Sequence, residues 1–267
     1  MTVIADERRI EVTYRGITCR FDSTPIHGLE DPGGIYRSLQ RGEFYEQEFL
    51  DYIRSLQIRG VYVDVGSCIG THALFFALMC PSTKVYAFEP RQHLYERVLT
   101  NAGLNAASDK ITAYPWALSD EPGDVTVTLD RREYVLTCRR LDDVVPGRID
   151  VIKIDVEGME PRVIDGAAAS LAQWRPRIFA EAGEPAQYEA LVACLARHGY
   201  RPTGRVFNWT PTYEFVPVAR STWEKARELA TSEVPLRTRR SLGRFVRRHP
   251  ALVAVVRRVR RPVSRAR

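Results

Sequence analysis

Asp64, His72, Glu89, Asp155, Glu157 and Glu181 are the side chains here whose types and spacing can do chemistry. Asp64 precedes Gly66 by two residues and Gly70 follows, so a D-x-G-x-x-x-G turn closes the β-branched run Val61–Val65. Glu89 ends a second apolar run, Lys84 to Phe88, 25 residues beyond Asp64. A strand, a glycine turn, a helix, a second strand and a terminal acid make a nucleotide-binding half of an α/β sheet. The last acid is then placed to accept two ribose hydroxyls. Gly66-Ser67-Cys68-Ile69-Gly70 lacks the middle glycine that lets a backbone approach a pyrophosphate, and Asp64 would repel one. Both features suit a cationic ligand without phosphate, such as S-adenosylmethionine with its ammonium and sulfonium groups.

The other three acids and His72 are candidates for moving a proton. Asp155 and Glu157 follow the apolar run Val151–Ile154, and Glu181 ends the run Arg177–Ala180. All three belong at the carboxyl end of a parallel sheet, where such sheets hold their ligands. An aliphatic hydroxyl is a poor nucleophile while protonated, and a carboxylate or imidazole beside it can act as general base. His72 opens the helix after Gly70, close to where a methyl group would leave. Each has a plainer reading: Asp155 or Glu157 capping the next helix, Glu181 as a surface acid, His72 bonded to local backbone. A divalent metal such as magnesium, held by the carboxylates, is the alternative to a side-chain base.

A doubly wound, mostly parallel α/β sheet would bring these groups together. Ile10–Tyr14 and Ile17–Phe21 alternate around Arg15-Gly16, as a hairpin does. Asp31-Pro-Gly-Gly34 is a loop, and Ile35 to Leu56 carries helical spacing broken near Gly42, which predicts two helices. This small hairpin-and-helix annex, residues 1–57, precedes a core over 58–220. In the core the spacing predicts strands over Val61–Val65, Lys84–Phe88, Ile111–Leu118, Asp150–Asp155 and Arg177–Glu181. Helices are predicted over Thr71–Cys80, Arg91–Leu104, Pro161–Trp174 and Ala186–His198. Val125–Leu129 and Val135–Leu141 form an inserted antiparallel pair. Val206–Trp209 and Tyr213–Val218 close the core, the last strand returning antiparallel. Residues 221–267 are a helical linker and an arginine-rich tail.

Composition narrows the classes. A chain of 267 residues holds one sizeable α/β domain without staples. Its five cysteines (Cys19, Cys68, Cys80, Cys138, Cys194) are scattered, without C-x-x-C or Cys/His spacing, which argues for reduced thiols and against zinc. No apolar leader opens the sequence, and no run reaches the roughly 18 apolar residues of a spanning helix, so a cytoplasmic protein is expected. The net charge of +6 is uneven. Twelve of the 39 basic residues are arginines between Arg237 and Arg267, where no acid occurs, leaving 27 basic against 33 acidic residues elsewhere. Two arginine-rich ends flank Ala251–Val256, a pattern suited to peripheral contact with an anionic membrane surface.

Read together, the motifs resemble the FkbM-type family of S-adenosylmethionine-dependent methyltransferases, over about Gly42 to Pro202. They are Gly42-Glu43-x-Tyr45-Glu46, Asp64 through His72, Phe88-Glu-Pro90, Asn101 with Asn105, and Ala117-Leu-Ser119. They continue with Leu141-Asp-Asp143, Ile152-Lys-Ile-Asp-Val-Glu-Gly158, Asp165-Gly-Ala167 and Pro176 through Glu181. The segment from Lys153 to Gly158 is the most specific. The resemblance implies a Rossmann-like methyltransferase fold and O-methylation of a hydroxyl on a sugar, glycolipid or polyketide-type metabolite, the acceptor being a small molecule or lipid-linked. It implies that Asp64, Gly66, Ser67 and Gly70 surround the methionine part and the adenosine bend, that Glu89 holds the ribose, and that Trp116 and Ala117 line the adenine. Cys68 stands in this cofactor loop where the family often has asparagine, a side-chain change that leaves the backbone approach intact. A nucleic-acid-binding or nucleic-acid-modifying methyltransferase using the basic tail is the alternative. Against it, Asp155-Val-Glu-Gly158 is not the Asn/Asp-Pro-Pro-Tyr-like clamp of nucleobase methylases, and an acidic body gives no basic face near the chemistry. A nicotinamide oxidoreductase is disfavoured by the missing glycine.

Overall fold

The β-branched runs of the chain assemble one seven-stranded sheet, and its strand order decides where a ligand can lie. The computed structural model describes residues 8–25, 34–129 and 132–219. The arginine-rich segment Arg237–Arg267, the linker before it and the loop residues 31–33 lie outside the described residues. A hairpin of β1 (Arg9–Tyr14) and β2 (Ile17–Asp22) comes first, then α1 (Ile35–Gln40) and α2 (Gln47–Ser55). The sheet is built from β3 (Gly60–Val65), β4 (Ser82–Phe88) and β5 (Ile111–Tyr114), with α3 (Thr71–Met79) and α4 (Gln92–Leu104) between them. An inserted sheet of β6 (Ala117–Leu118), β7 (Gly123–Leu129) and β8 (Arg132–Arg139) follows, then the short α5 (Leu141–Val144) and β9 (Val151–Ile154). The chain continues through α6 (Glu160–Asp165), α7 (Ala168–Trp174), β10 (Arg177–Glu181), α8 (Pro185–Arg197), β11 (Tyr200–Phe207) and β12 (Thr212–Pro217).

The order across the large sheet is β11-β12-β10-β9-β3-β4-β5. β10, β9, β3, β4 and β5 run parallel, while β12 is antiparallel to both its neighbours. This is the expected doubly wound sheet with an antiparallel last strand. From β3 the chain winds to one side through β4 and β5, and β9 lies on the other side. The crevice at such a switch point, outside the carboxyl ends of the strands, is where open α/β sheets bind ligands.

Strands buried on both faces read as continuous apolar runs, and each face has its own core. One core joins Phe75 and Phe76 of α3 to Val12, Phe21, Phe44 and Phe49 of the N-terminal segment. The other packs Val63, Val65, Ile152, Ile154 and Ile178 against Val163, Leu171 and Leu191. α3 is buried nearly all round, as its uniformly apolar sequence requires. The hairpin and α2 are what cover its outer side, so the annex shares the core of the sheet.

Two predicted elements are divided. The strand over Ile111–Leu118 stops at Tyr114, because Pro115 has no N–H to continue the ladder. Ala117–Leu118 then pairs in parallel with β8 instead. The helix over Pro161–Trp174 breaks at Gly166-Ala167, where a Cβ on Gly166 would lie 2.0 Å from the Ser119 carbonyl oxygen.

That contact distinguishes two glycines. In a Gly166→Ala protein the backbone of Ser119 must move, which lowers stability by about 1–3 kcal/mol. Gly103, exposed near the end of α4 with nothing within 4 Å of its would-be Cβ, gains from alanine by about 0.5–1 kcal/mol. Urea denaturation of both variants measures the two signs, and equal effects would exclude the close approach at Gly166.

Candidate active site

The turn after β3 is held by main-chain bonds that only this sequence of conformations allows. The Gly66 and Ser67 amides both donate to the Phe88 carbonyl, at 2.9 and 3.0 Å, tying the turn to the end of β4. Gly66 has φ +79°, and a Cβ there would lie 1.8 Å from the Asp155 carbonyl oxygen. The close approach that demands this glycine is therefore made by the protein itself. Cys68 is also left-handed, at φ 50°, a region that suits asparagine better than cysteine. Its amide donates to Glu89 Oε2 at 2.9 Å. Ser67 Oγ donates to the Asp64 carbonyl, and Asn101 Nδ2 donates to that of Ile69.

Beside this turn lies an open cleft with a volume of about 190 Å³. Phe88, Trp116, Ala117, Val127, Leu136 and Met159 give it apolar walls. Gly66, Glu89, Asp155 and Glu157 line it as well. Trp116 stacks on Tyr114 at 4.7 Å with the Arg139 guanidinium 5.6 Å from its ring. Pro115 thus turns the chain so that its next residues wall the cleft. Glu89 is 3% exposed, and its Oε1 accepts from the Arg91 amide (3.1 Å) and Arg91 Nε (3.0 Å).

A second set of groups shares one face of the sheet. Asp64 on β3 and Phe179 on β10 both pair in register with Lys153 of β9. Side chains two residues apart in a strand share a face, so Asp155 follows Lys153 and Glu181 follows Phe179 on that side. Lys153 Nζ lies 3.5 Å from Asp64 Oδ1 and 3.3 Å from Asp155 Oδ2, and donates to the Gly66 carbonyl at 3.1 Å. Burial by itself would lower the Lys153 pKa, but Asp155, Asp64 and Glu46 outweigh it and raise it. Asp64 is wholly buried and neither carboxylate oxygen has a hydrogen bond; burial raises its pKa against the pull of Lys153.

The chain before α2 closes this face. Glu46, left-handed at φ 58°, sets Oε2 3.4 Å from His72 Nε2, which also lies 3.3 Å from the Tyr45 carbonyl oxygen. Burial, with Asp155 and Asp64 assisting and Lys153 opposing, raises Glu46 to about 7. Burial and then Asp155 raise Glu181 to about 8. Burial and Lys153 push the His72 pKa well below its ordinary value. The His72 ring is packed among Tyr45, Phe49 and Phe76, away from the cleft lining. Glu157 is exposed at the cleft, while Glu160 takes the turn before α6, accepting from the Val156 and Gly158 amides at 3.2 Å.

Lys153, Glu46, Tyr45 and Arg91 were not singled out for the site. Lys153 carried a signal, a lone ammonium inside a buried apolar strand. Tyr45 and Glu46 stood in a motif of the resemblance but without a role, and Arg91 carried no signal, since a folded-back guanidinium has no spacing. The acids of the cleft do not converge as metal ligands. Among the described residues, such a group is Asp165, Cys194 and His198, with ligand atoms within 4.8 Å of one another. Cys194 on α8 and His198 just past its end are four apart, a Cys/His spacing in the sequence after all. His198 (2.8 Å) and Arg197 (3.0 Å) both pair with Asp165, so the cluster reads as an ion-pair clasp between α6 and α8.

Compared with known proteins, residues 64–202, more than half of the chain, match the family described as the methyltransferase FkbM domain. Methyltransferase sdnD of Sordaria araneosa is 26% identical over 222 residues, 62% of this chain and 85% of its own. Among solved structures, methyltransferase FkbM from Methylobacillus flagellatus KT is 19% identical over 61% of this chain, with a TM-score of 0.46. This chain spans 46% of that protein. M. jannaschii TYW2 in complex with AdoMet is 16% identical, covers 82% of this chain and 90% of its own, and has a TM-score of 0.47.

Two predictions follow from the charges. Replacing Lys153 with methionine strands two carboxylates, one of them wholly buried, and lowers stability by about 3–5 kcal/mol in denaturant titrations; an unchanged midpoint would rule out the buried pairing. The second concerns pH. Glu46 and Glu181 bind protons more tightly folded than unfolded, so the stability they give is present at low pH and is lost as pH rises through about 7 and about 8. His72 acts with the opposite sign, and below its ordinary 6.5. From about pH 6.5 to 8.5 the thermal midpoint of the ligand-free protein therefore falls, and less steeply in Glu181→Gln. A wild-type slope identical to that of Glu181→Gln contradicts the raised Glu181.

Proposed function

Since the chain belongs to the methyltransferase FkbM domain family, we propose that it is an S-adenosylmethionine-dependent O-methyltransferase acting on a hydroxyl of a sugar, glycolipid or polyketide-type metabolite. The observation that carries this reading is the pairing of two neighbouring environments. An apolar slot ends at a buried carboxylate, Glu89, and it adjoins a row of acids around Lys153. A nucleoside with a cationic tail needs both.

The residues fit such a cofactor. Glu89 accepts three hydrogen bonds and a carboxylate takes about four, so it has room for a ribose hydroxyl. Trp116 and Met159 offer faces for a purine, beside Ala117. The excess of acid over Lys153 favours the ammonium and sulfonium. When bound, S-adenosylmethionine supplies a methyl group already activated on sulfur. The protein's task is then alignment and removal of the acceptor proton. For that proton we take Asp155, which lines the cleft, and Glu181, which shares the sheet face of Lys153 through Phe179. Glu157 is exposed at the cleft and His72 is packed among aromatic rings, so neither is assigned that proton in this reading.

A nucleic-acid substrate fits less well, because the cleft presents Glu89, Asp155 and Glu157 with Arg91 as the basic group of its lining. No helix among the described residues is long and apolar enough to cross a membrane. A lipid-linked acceptor met at an anionic surface through Arg237–Arg267 belongs to this proposal. It predicts co-sedimentation of the full chain with anionic vesicles, lost on truncation after Val234.

Calorimetry and labelling test the function. Glu89→Gln keeps the shape but weakens the charge-assisted bonds, and should bind S-adenosylmethionine about 1.5–3 kcal/mol more weakly. Asp155→Asn and Glu181→Gln should lower kcat by roughly 10²–10⁴-fold, with activity persisting in a chelator. Methyl-labelled cofactor incubated with cell extract should label an ether oxygen, read by NMR of the product. Label on nitrogen or carbon would overturn the O-methyl reading.

A further inference from the structure

We propose that Glu181 carries a proton in the ligand-free protein, releases it to solvent when a sulfonium is bound, and takes a proton from the acceptor hydroxyl as the methyl group moves. This presupposes the cofactor reading above.

Among the described residues, charged groups from several elements gather around Glu181 and Lys153. β3 contributes Asp64, β9 contributes Lys153 and Asp155, the segment after β9 contributes Glu157, and the segment before α2 contributes Glu46 and Tyr45. His72 from the start of α3 is buried and neutral, and Glu214 on β12 is paired with Arg177 at 2.8 Å. Asp155, Asp64 and Glu46 thus act on the single Lys153 ammonium, and Asp155, Glu46 and Glu157 act on Glu181. Lys153 is already engaged by Asp64 and Asp155. Among the described residues Glu181 makes no ion pair of its own, although it follows Ala180, whose partner Ile154 on β9 immediately precedes Asp155. A partly buried cluster with such an excess cannot ionise fully, and the acid without a cation keeps its proton. Asp64 is already matched by the Lys153 ammonium at 3.5 Å, which leaves that ammonium no nearer to Glu181.

At an effective dielectric of about 20, a positive charge about 8 Å from a carboxyl lowers its pKa by roughly 1.5 units. From about 8 that takes the carboxyl from mostly protonated to mostly ionised near neutral pH. Glu181 is then a base only when the methyl donor is present. The transfer step balances. The acceptor O–H proton goes to the Glu181 carboxylate, the O–CH3 bond forms, and the S–CH3 electron pair returns to sulfur. A sulfonium and a carboxylate become a thioether and a carboxylic acid, so the cleft holds the same net charge before and after. Glu181 is left protonated, as at the start, and its proton leaves at the next binding event.

The test compares S-adenosylmethionine with S-adenosylhomocysteine, which lacks the sulfonium. Titration calorimetry near pH 7.5, in two buffers of different ionisation enthalpy, counts protons released on binding, up to about one for this group. Wild-type protein should release more with the sulfonium ligand than with the thioether. The difference should vanish in Glu181→Gln and persist in Glu46→Gln, with thermal melting and retained thioether binding showing that both variants fold. Equal release for the two ligands in the wild type overturns the proposal, as does a difference that survives in Glu181→Gln. If the thioether and the sulfonium both fail to bind, the cofactor reading itself falls, which is a distinct result.

Discussion

The Lys153 ammonium, buried between Asp64 and Asp155, is the interaction on which the site depends. It joins β3 to β9 at the switch point of the sheet, at 3.5 and 3.3 Å, and donates to the Gly66 carbonyl as well. One side chain therefore sets the relative positions of an acid below the glycine turn, an acid above it and the turn. Its ammonium has left water, which is costly unless several oxygens replace the hydration. Here they do. The unequal count of acids and cations that remains leaves the site electrostatically short of a positive ligand.

The N-terminal segment completes this arrangement from the other side. α3 is too apolar to face solvent, and Phe44 and Phe49 cover it together with Tyr14 of the hairpin. The same short segment then brings Tyr45 and Glu46 over the charged row. Covering a helix and closing a wall are one packing event. Glu46 accepts a left-handed backbone, a conformation that costs on the order of 1 kcal/mol, in order to turn inward. A change in the packing of α2 should therefore be felt at Lys153.

The mostly parallel sheet, its antiparallel last strand and the two carboxylates Asp64 and Glu89 were legible in the sequence, because buried strands and glycine turns have short-range signatures. Asp155 and Glu181 were legible too, as acids ending apolar runs. The division of Ile111–Leu118 could have been read from Pro115. The break at Gly166 could not, since its cause is the carbonyl of Ser119, 47 residues away. Lys153 was quoted as part of a motif, yet its role as a counter-ion appears only when β3 and β9 are set in register. His72 had the right position in the chain for a base. Its enclosure by three aromatic rings depends on a segment more than twenty residues upstream.

The two faces of the sheet explain why one small site can hold unlike groups. At the carboxyl ends, the second core opens into an apolar slot walled by β6–β8, because Pro115 diverts the chain out of the large sheet. The first core opens onto the charged row, because Asp64, Lys153, Phe179, Asp155 and Glu181 alternate onto that face. The glycine turn lies on the boundary between them. Gly66 touches Asp155 through its backbone, and Cys68 touches Glu89 through its amide. A shift of the turn in either direction would disturb an acid on each side at once. A ligand that is apolar at one end and cationic at the other meets a surface already divided in the same way, and its boundary is fixed by main-chain bonds rather than by mobile side chains.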